Sequence, residues 1–247
     1  MLGMPCIVEF IGAPGSGKTF SSLKLESLLA SELHSISSYS SYSNSGENDS
    51  RIASILRMSK KAISSLSFFI SKPREFLFLR SLIFSNNYNS KFLAWTLLIN
   101  YIFLLSFFTK CRIQSSSAVV EQGIFQLGWP LFYYSSNIRL ALKVFNGVLE
   151  NAKKYIDPFM YVIVVMDPPE ILLEKRMEKR GLNDLNATES KAALEVLCST
   201  IHSLNPFSGM VLLTNDGSDV STEKINATIL DLVKSNEQKK NNYYCDK

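Results

Sequence analysis

Residues 12–19 read Gly-Ala-Pro-Gly-Ser-Gly-Lys-Thr and match the pattern GxxxxGK[ST] at every fixed position. Before them, Pro5 to Ile11 is a short apolar run with β-branched residues, which predicts a first strand. After them, Thr19 to Leu33 carries leucines at 23, 25, 28, 29 and 33, the spacing of an amphipathic helix. A strand that passes through a glycine-rich turn directly into a helix constrains the fold more than any other feature of this chain.

Gly12, Gly15 and Gly17 allow a tight turn and a close approach of backbone N–H groups to an anion. The following helix adds its partial positive end. This combination predicts a phosphate cradle in which Lys18 reaches the β- and γ-phosphates of ATP and the Thr19 hydroxyl ligates Mg²⁺. Gly12, Ala13, Pro14, Gly15, Ser16, Gly17, Lys18, Thr19 and Phe20 are therefore the expected nucleotide contacts.

Further along, Ser117 to Val120 reads as a short strand ending in Glu121. Tyr161 to Met166 (YVIVVM) is apolar throughout, as a central parallel strand should be. Met210 to Leu213 reads as another strand, and Ile36 to Tyr39 is a weaker candidate. Helices are expected over 137–154, 169–180, 188–203 and 221–235. Strands alternating with helices predict an α/β fold of three layers, with a parallel sheet of about five strands. A single domain over 1–235, a mobile Ser-rich loop over 34–51 and a flexible polar tail over 236–247 complete the expected organisation.

Residues 51–112 read as a helical insert, with Pro73 opening a helix and Asn86 to Ser90 breaking it. Within it, 92–108 (FLAWTLLINYIFLLSFF) is apolar enough to suggest a membrane span, at the lower limit of length and interrupted by Thr96, Asn100 and Ser106. A core helix is the preferred reading, because a parallel sheet needs apolar helices on both faces.

Bulk properties exclude several classes. The net charge of +4 gives no reason to invoke nucleic acid. Cys6, Cys111, Cys198 and Cys245 are scattered outside metal-ligand spacings, and only two histidines are present, which argues against zinc and suits a reducing cytosol. The N-terminal MLGMPCIVEF lacks a basic leader and is expected to run straight into the first strand.

Three further features suggest chemistry. Glu121, at a strand end beside the glycine loop, suits holding Mg²⁺ or orienting an acceptor hydroxyl. In DPPEILLEKRMEKRG, residues 167–181, Asp167 with two prolines opens a helix and Gly181 closes it. Arg176 and Arg180 are four apart, so they share a face and can clamp a transferring phosphoryl group, unless Glu170, Glu174 and Glu178 pair with the bases of a solvated helix. The TNDGSDVS loop, with Asp216, is either a contact to the nucleotide base or an ordinary turn and helix cap.

The glycine loop, Glu121, the DPPE helix with its RxxxR spacing and the NDG turn together resemble the nucleoside-monophosphate kinase group, its thymidylate-kinase-like branch in particular. The resemblance covers both ends of the chain and little of its middle. It implies a cytoplasmic phosphotransferase, often dimeric, with ATP on the P-loop and Lys18, Thr19, Arg176 and Arg180 in phosphate-binding roles. It also implies a small-molecule acceptor held by the region between the first helix and the third strand. Thymidylate kinases usually carry an Asp-Arg pair where this chain has Glu121-Gln122, and arginines at 51–112 are few (Arg51, Arg57, Arg74 and Arg80), which points to a nucleoside, sugar or lipid-linked acceptor. The competing expectation is a nucleotide-driven switch or regulatory ATPase, with or without membrane attachment. Neither an NKxD guanine motif nor an ABC signature is present.

Overall fold

A computed structural model describes residues 5–32, 36–38, 51–86, 88, 90–157, 159–182, 184–204 and 210–245, with the side chains of 51–58 and 237–245 left out. The first half of the chain forms β1 (Cys6–Gly12), α1 (Lys18–Glu32), β2 (Ile36–Ser38), α2 (Arg51–Ser71), α3 (Pro73–Phe84) and α4 (Lys91–Gln114). The second half forms β3 (Ser117–Val120), α5 (Gly128–Tyr133), α6 (Ile138–Ile156), β4 (Met160–Met166), α7 (Glu170–Lys179), α8 (Ala187–Leu204), β5 (Val211–Asn215) and α9 (Asp219–Cys245). The strands form one parallel sheet in the order β2-β3-β1-β4-β5.

Strand geometry sends alternate side chains to opposite faces of this sheet. Ile7, Ile11, Ala118, Val120, Tyr161, Ile163 and Val165 enter a large core built with α4, α5, α6 and α8. Cys6, Val8, Phe10, Val119, Val162, Val164 and Met166 enter a smaller one built with Leu25 and Leu29 of α1 and Ile225, Ile229 and Val233 of α9. Helices on both faces explain why β4 is a continuous apolar run and why β1 is apolar apart from Glu9.

α4 is long and apolar enough to cross a membrane by length and composition. Here Leu98, Tyr101, Ile102, Leu104, Leu105 and Phe108 are buried against the sheet and α6. Tyr101 Oη, which could not be left unpaired in that core, donates to the Val148 carbonyl at 2.8 Å. Ser90 caps the helix by accepting the Phe92 N–H, and Ser115 ends it in the left-handed region at φ 49°. α2 and α3 pack onto α4 from outside, with Pro73 at the start of α3.

Two elements differ from expectation, and the weaker candidate strand near 36–39 forms. α9 continues to Cys245, well past the expected end at 235. α5 forms where no helix was expected, because Gly128, Trp129 and Pro130 give a six-residue segment no helical period to read. Most of the Ser-rich loop lies outside the described residues, and its described part contributes β2 at the sheet edge.

The burial pattern of α4 makes a direct prediction. In buffer without detergent, Leu98→Ala should cost about 2–5 kcal/mol in urea unfolding, whereas Phe92→Ala, at 78% exposure on the same helix, should change stability by less than about 0.5 kcal/mol. Equal effects at the two positions would refute the assignment of α4 as a core helix.

Candidate functional site

β1 ends at Gly12, paired with Met166 of β4, and the glycine loop fills the space between the carboxyl ends of these strands. At Gly12, φ is 156°, and a Cβ would come within 2.6 Å of the Met166 carbonyl. A side chain here would therefore push the loop off β4. Gly15 and Gly17 have φ of 85° and 99°, and the loop closes with the Ser16 N–H donating to the Ala13 carbonyl at 3.1 Å. α1 then starts at Lys18, and the first N–H groups of a helix have no intrahelical acceptor.

Two cavities flank this loop. One, of about 490 Å³, is bounded by Gly15, Ser16, Gly17, Phe20 and Ser21, with the α7 bases Arg176, Lys179 and Arg180 opposite. Gly217, Asp219 and Thr222 close its far side. The other, of about 310 Å³, has Pro14, Lys18 and Thr19 on its loop side and Glu121, Gln122 and Gln126 beside them. Its opposite wall is formed by Leu93, Thr96, Leu97 and Asn100 of α4 and by Trp129 and Pro130 of α5. Gly15, Gly17 and Arg180 line both cavities, so the loop is a thin partition with one guanidinium reaching either side.

Lys18 Nζ folds back onto the loop, donating to the carbonyls of Gly12 at 2.7 Å and Ala13 at 2.9 Å. Burial lowers its pKa to about 8; Glu121 opposes that shift and Arg180 adds to it. Thr19 Oγ1 donates to Glu121 Oε1, which joins the two expected metal ligands directly. Ser16 Oγ is buried and unpartnered, an orphan polar atom that an anion in the loop would satisfy.

The structure brings Arg176 and Arg180 to the loop as their spacing suggested. Arg176 Nη1 donates to the Ser16 carbonyl at 3.3 Å. α7 ends in a left-handed Gly181 at φ 67°, with the Leu182 N–H returning to Met177, and this stop leaves Arg180 at the junction of the cavities. Among the described residues no carboxylate forms an ion pair with either arginine. Asp216 caps its own turn: its carboxylate accepts the Ser218 N–H at 2.9 Å, and the Ser218 hydroxyl together with that N–H lowers its pKa. The loop faces the larger cavity through Gly217, Asp219 and Thr222.

Sequence reasoning missed Glu9. Alternation places it on the large-core side of β1, where it is completely buried. Its Oε1 accepts the Gln126 N–H at 2.6 Å, and its Oε2 accepts the Tyr161 hydroxyl of β4. The N–H groups of Ile124 and Phe125 also point to it. Gln126 Oε1 in turn accepts the Gly12 N–H at 2.8 Å. A Cβ on Gly123 would overlap the Glu9 carboxylate, so only glycine lets the loop after β3 close over it. An acid inside the apolar run CIVEFIG was the available signal. Burial raises the Glu9 pKa to about 7, against the opposing pull of Tyr161 and the loop N–H groups.

No protein-family model matches the chain, and no curated protein shows significant sequence similarity to it.

Because the folded pKa of Glu9 lies above its ordinary value of 4.5, its stabilising contribution is complete below about pH 4.5 and is lost as pH rises through about 7. The shift corresponds to roughly 3 kcal/mol. Urea titrations at pH 5 and pH 8 should show the Glu9→Gln variant losing markedly less stability across this range than the wild type. Parallel losses would show that Glu9 does not titrate there.

Proposed function

We propose that this chain is a P-loop phosphotransferase that passes the γ-phosphoryl group of ATP to a small molecule carrying a hydroxyl. The observation that carries this reading is the pair of cavities on the two sides of one glycine loop, with Arg180 bordering both. A binding switch needs a nucleotide site alone. A transferase needs a donor and an acceptor site that meet at one point, and two cavities that share Gly15, Gly17 and Arg180 support that reading. The strand order, with the loop following the central β1, supports a P-loop NTPase fold, since ligands of open parallel sheets bind beyond the carboxyl ends of the strands, where the order reverses.

The residues present fit ATP and Mg²⁺. The larger cavity takes the nucleoside and offers Arg176, Lys179 and Arg180 to its phosphates. Thr19 and Glu121 supply two oxygen ligands, and Mg²⁺ ordinarily completes its shell with water and substrate phosphates. Once bound, the ion would neutralise phosphate charge. The direct Thr19–Glu121 hydrogen bond favours a metal-side role for Glu121.

Lys18 moves from the Gly12 and Ala13 carbonyls to the β- and γ-phosphates, exchanging neutral acceptors for anionic ones. Arg180, already between the cavities, stabilises the charge on the group in transit. The acceptor cavity combines Leu93, Leu97 and Trp129 with Thr96, Asn100 and Gln122. Apart from Lys18 and Arg180, which belong to the transfer point, no cation among the described residues lines it. This composition favours a weakly charged alcohol, such as a nucleoside or sugar, over a nucleoside monophosphate.

Three outcomes are expected. ADP formation with ATP·Mg²⁺ should rise well above background with one member of a panel of nucleosides, sugars and alcohols, and Lys18→Ala should abolish the rise. Nucleotide binding with no acceptor effect across such a panel would favour the switch. In steady-state kinetics with that acceptor, Arg180→Ala should lower kcat about 10²–10³-fold, while Arg176→Ala, which borders only the nucleotide cavity, should act mainly on the KM for ATP. Finally, Lys18 is half protonated near pH 8 when free and fully protonated beside phosphates. Calorimetry of a non-hydrolysable ATP analogue at pH 8, in buffers of different ionisation enthalpy, should therefore show uptake of about half a proton. Lys18→Ala should remove that uptake.

A further inference from the structure

The helical layer outside α4 buries Phe68, Leu79 and Ile83 against the core, yet it also carries large apolar side chains on its outer face. On α2, Lys61, Ser64, Ser65 and Phe68 point inward, and Lys61 Nζ donates to Asn100 Oδ1 of α4 at 2.8 Å. Ile63, Leu66 and Ile70, spaced as one helical stripe, point outward at 67%, 59% and 71% exposure. α3 continues this surface with Leu77 and Phe78, both more than half exposed. Five large apolar side chains on adjoining helices form a patch of the kind that marks an interaction site.

Charge identifies the partner. From Arg51 to Phe84, the span of α2 and α3, the sequence has seven Lys or Arg residues and one acid, Glu75, although the whole chain carries only +4, and Lys60, Lys72, Arg74 and Arg80 are exposed. Glu75 is occupied by Lys154 at 2.9 Å and by the Tyr155 hydroxyl. A second copy of this chain meeting the face about a two-fold axis would bring the same bases together, so self-association is disfavoured. Four of these five side chains are aliphatic, so the patch offers nucleic-acid bases no run of stacking aromatics. An apolar stripe on a basic helical layer fits a lipid bilayer that carries anionic headgroups.

We propose that the outer face of α2 and α3 docks this protein on an anionic membrane surface, with Ile63, Leu66, Ile70, Leu77 and Phe78 entering the headgroup–acyl boundary. The helices lie on the bilayer and do not cross it, and the inference stands whether or not the chain transfers phosphate. The test is co-sedimentation of the full chain with vesicles of phosphatidylcholine alone and of phosphatidylcholine with phosphatidylglycerol. Binding should be strong on the anionic vesicles, weak on the neutral ones, and reduced by added salt. Ile63→Gln with Ile70→Gln, both on the solvent side of α2, should lower the partition coefficient about tenfold or more while leaving the unfolding midpoint in place. Absence of binding to anionic vesicles would overturn the proposal, as would equal binding by the double variant. A wild-type dimer in sedimentation equilibrium that the double variant converts to monomer would also overturn it, by assigning the face to a second copy.

Discussion

The site depends on a carboxylate that, among the described residues, has no ion-pair partner. Glu9 sits in the large core and is satisfied only by a tyrosine hydroxyl and loop N–H groups. Those donors come from β4 and from the segment after β3, so one side chain of the central strand binds both neighbours at the level of the glycine loop. Gln126 extends the connection by accepting the Gly12 N–H. Removing the carboxyl would leave several buried donors unpaired, at about 1–3 kcal/mol each. It would also free the segment that carries Glu121 and Gln122, which explains how an acid persists in an otherwise apolar strand.

With that bracket fixed, the loop separates two chemically different spaces. One side has Arg176, Lys179 and Arg180 and few acids. The other is walled by α4 and α5, with apolar and neutral polar side chains. Lys18 stands in the partition, and its burial without a full counter-charge makes it costly to keep protonated. An anion beside Lys18 would relieve this cost, because it would supply the counter-charge that the two backbone carbonyls do not.

The legible parts of the sequence were those whose physics is local. GAPGSGKT specifies its own turn, YVIVVM reads as a buried strand, and the four-residue spacing of Arg176 and Arg180 places them on one helix face wherever the helix lies. Glu9 was not legible, because its importance comes from residues more than a hundred positions away, which only the sheet order brings to it. α4 was ambiguous for a different reason: it is apolar on nearly every side, so periodicity does not tell burial in protein from burial in lipid. Asp216 stays open to both readings in sequence because turn capping and base contact use the same residue types, and the structure adds its capping bond to the Ser218 N–H.

Both ambiguities of the helical insert follow from the arrangement of its layers. α4 is apolar all round because it is covered by the sheet, α6 and the α2–α3 pair. α2 turns its polar side inward because that side meets Asn100, a residue that lines the smaller cavity. Phe68 of α2 still packs inward into the large core, so the outer stripe of Ile63, Leu66 and Ile70 is additional to the inner contacts. The Lys61–Asn100 contact ties α2 to a residue of the smaller cavity. Whatever binds that stripe lies one helix away from that cavity, so movement of α2 at the surface would reach Asn100 directly.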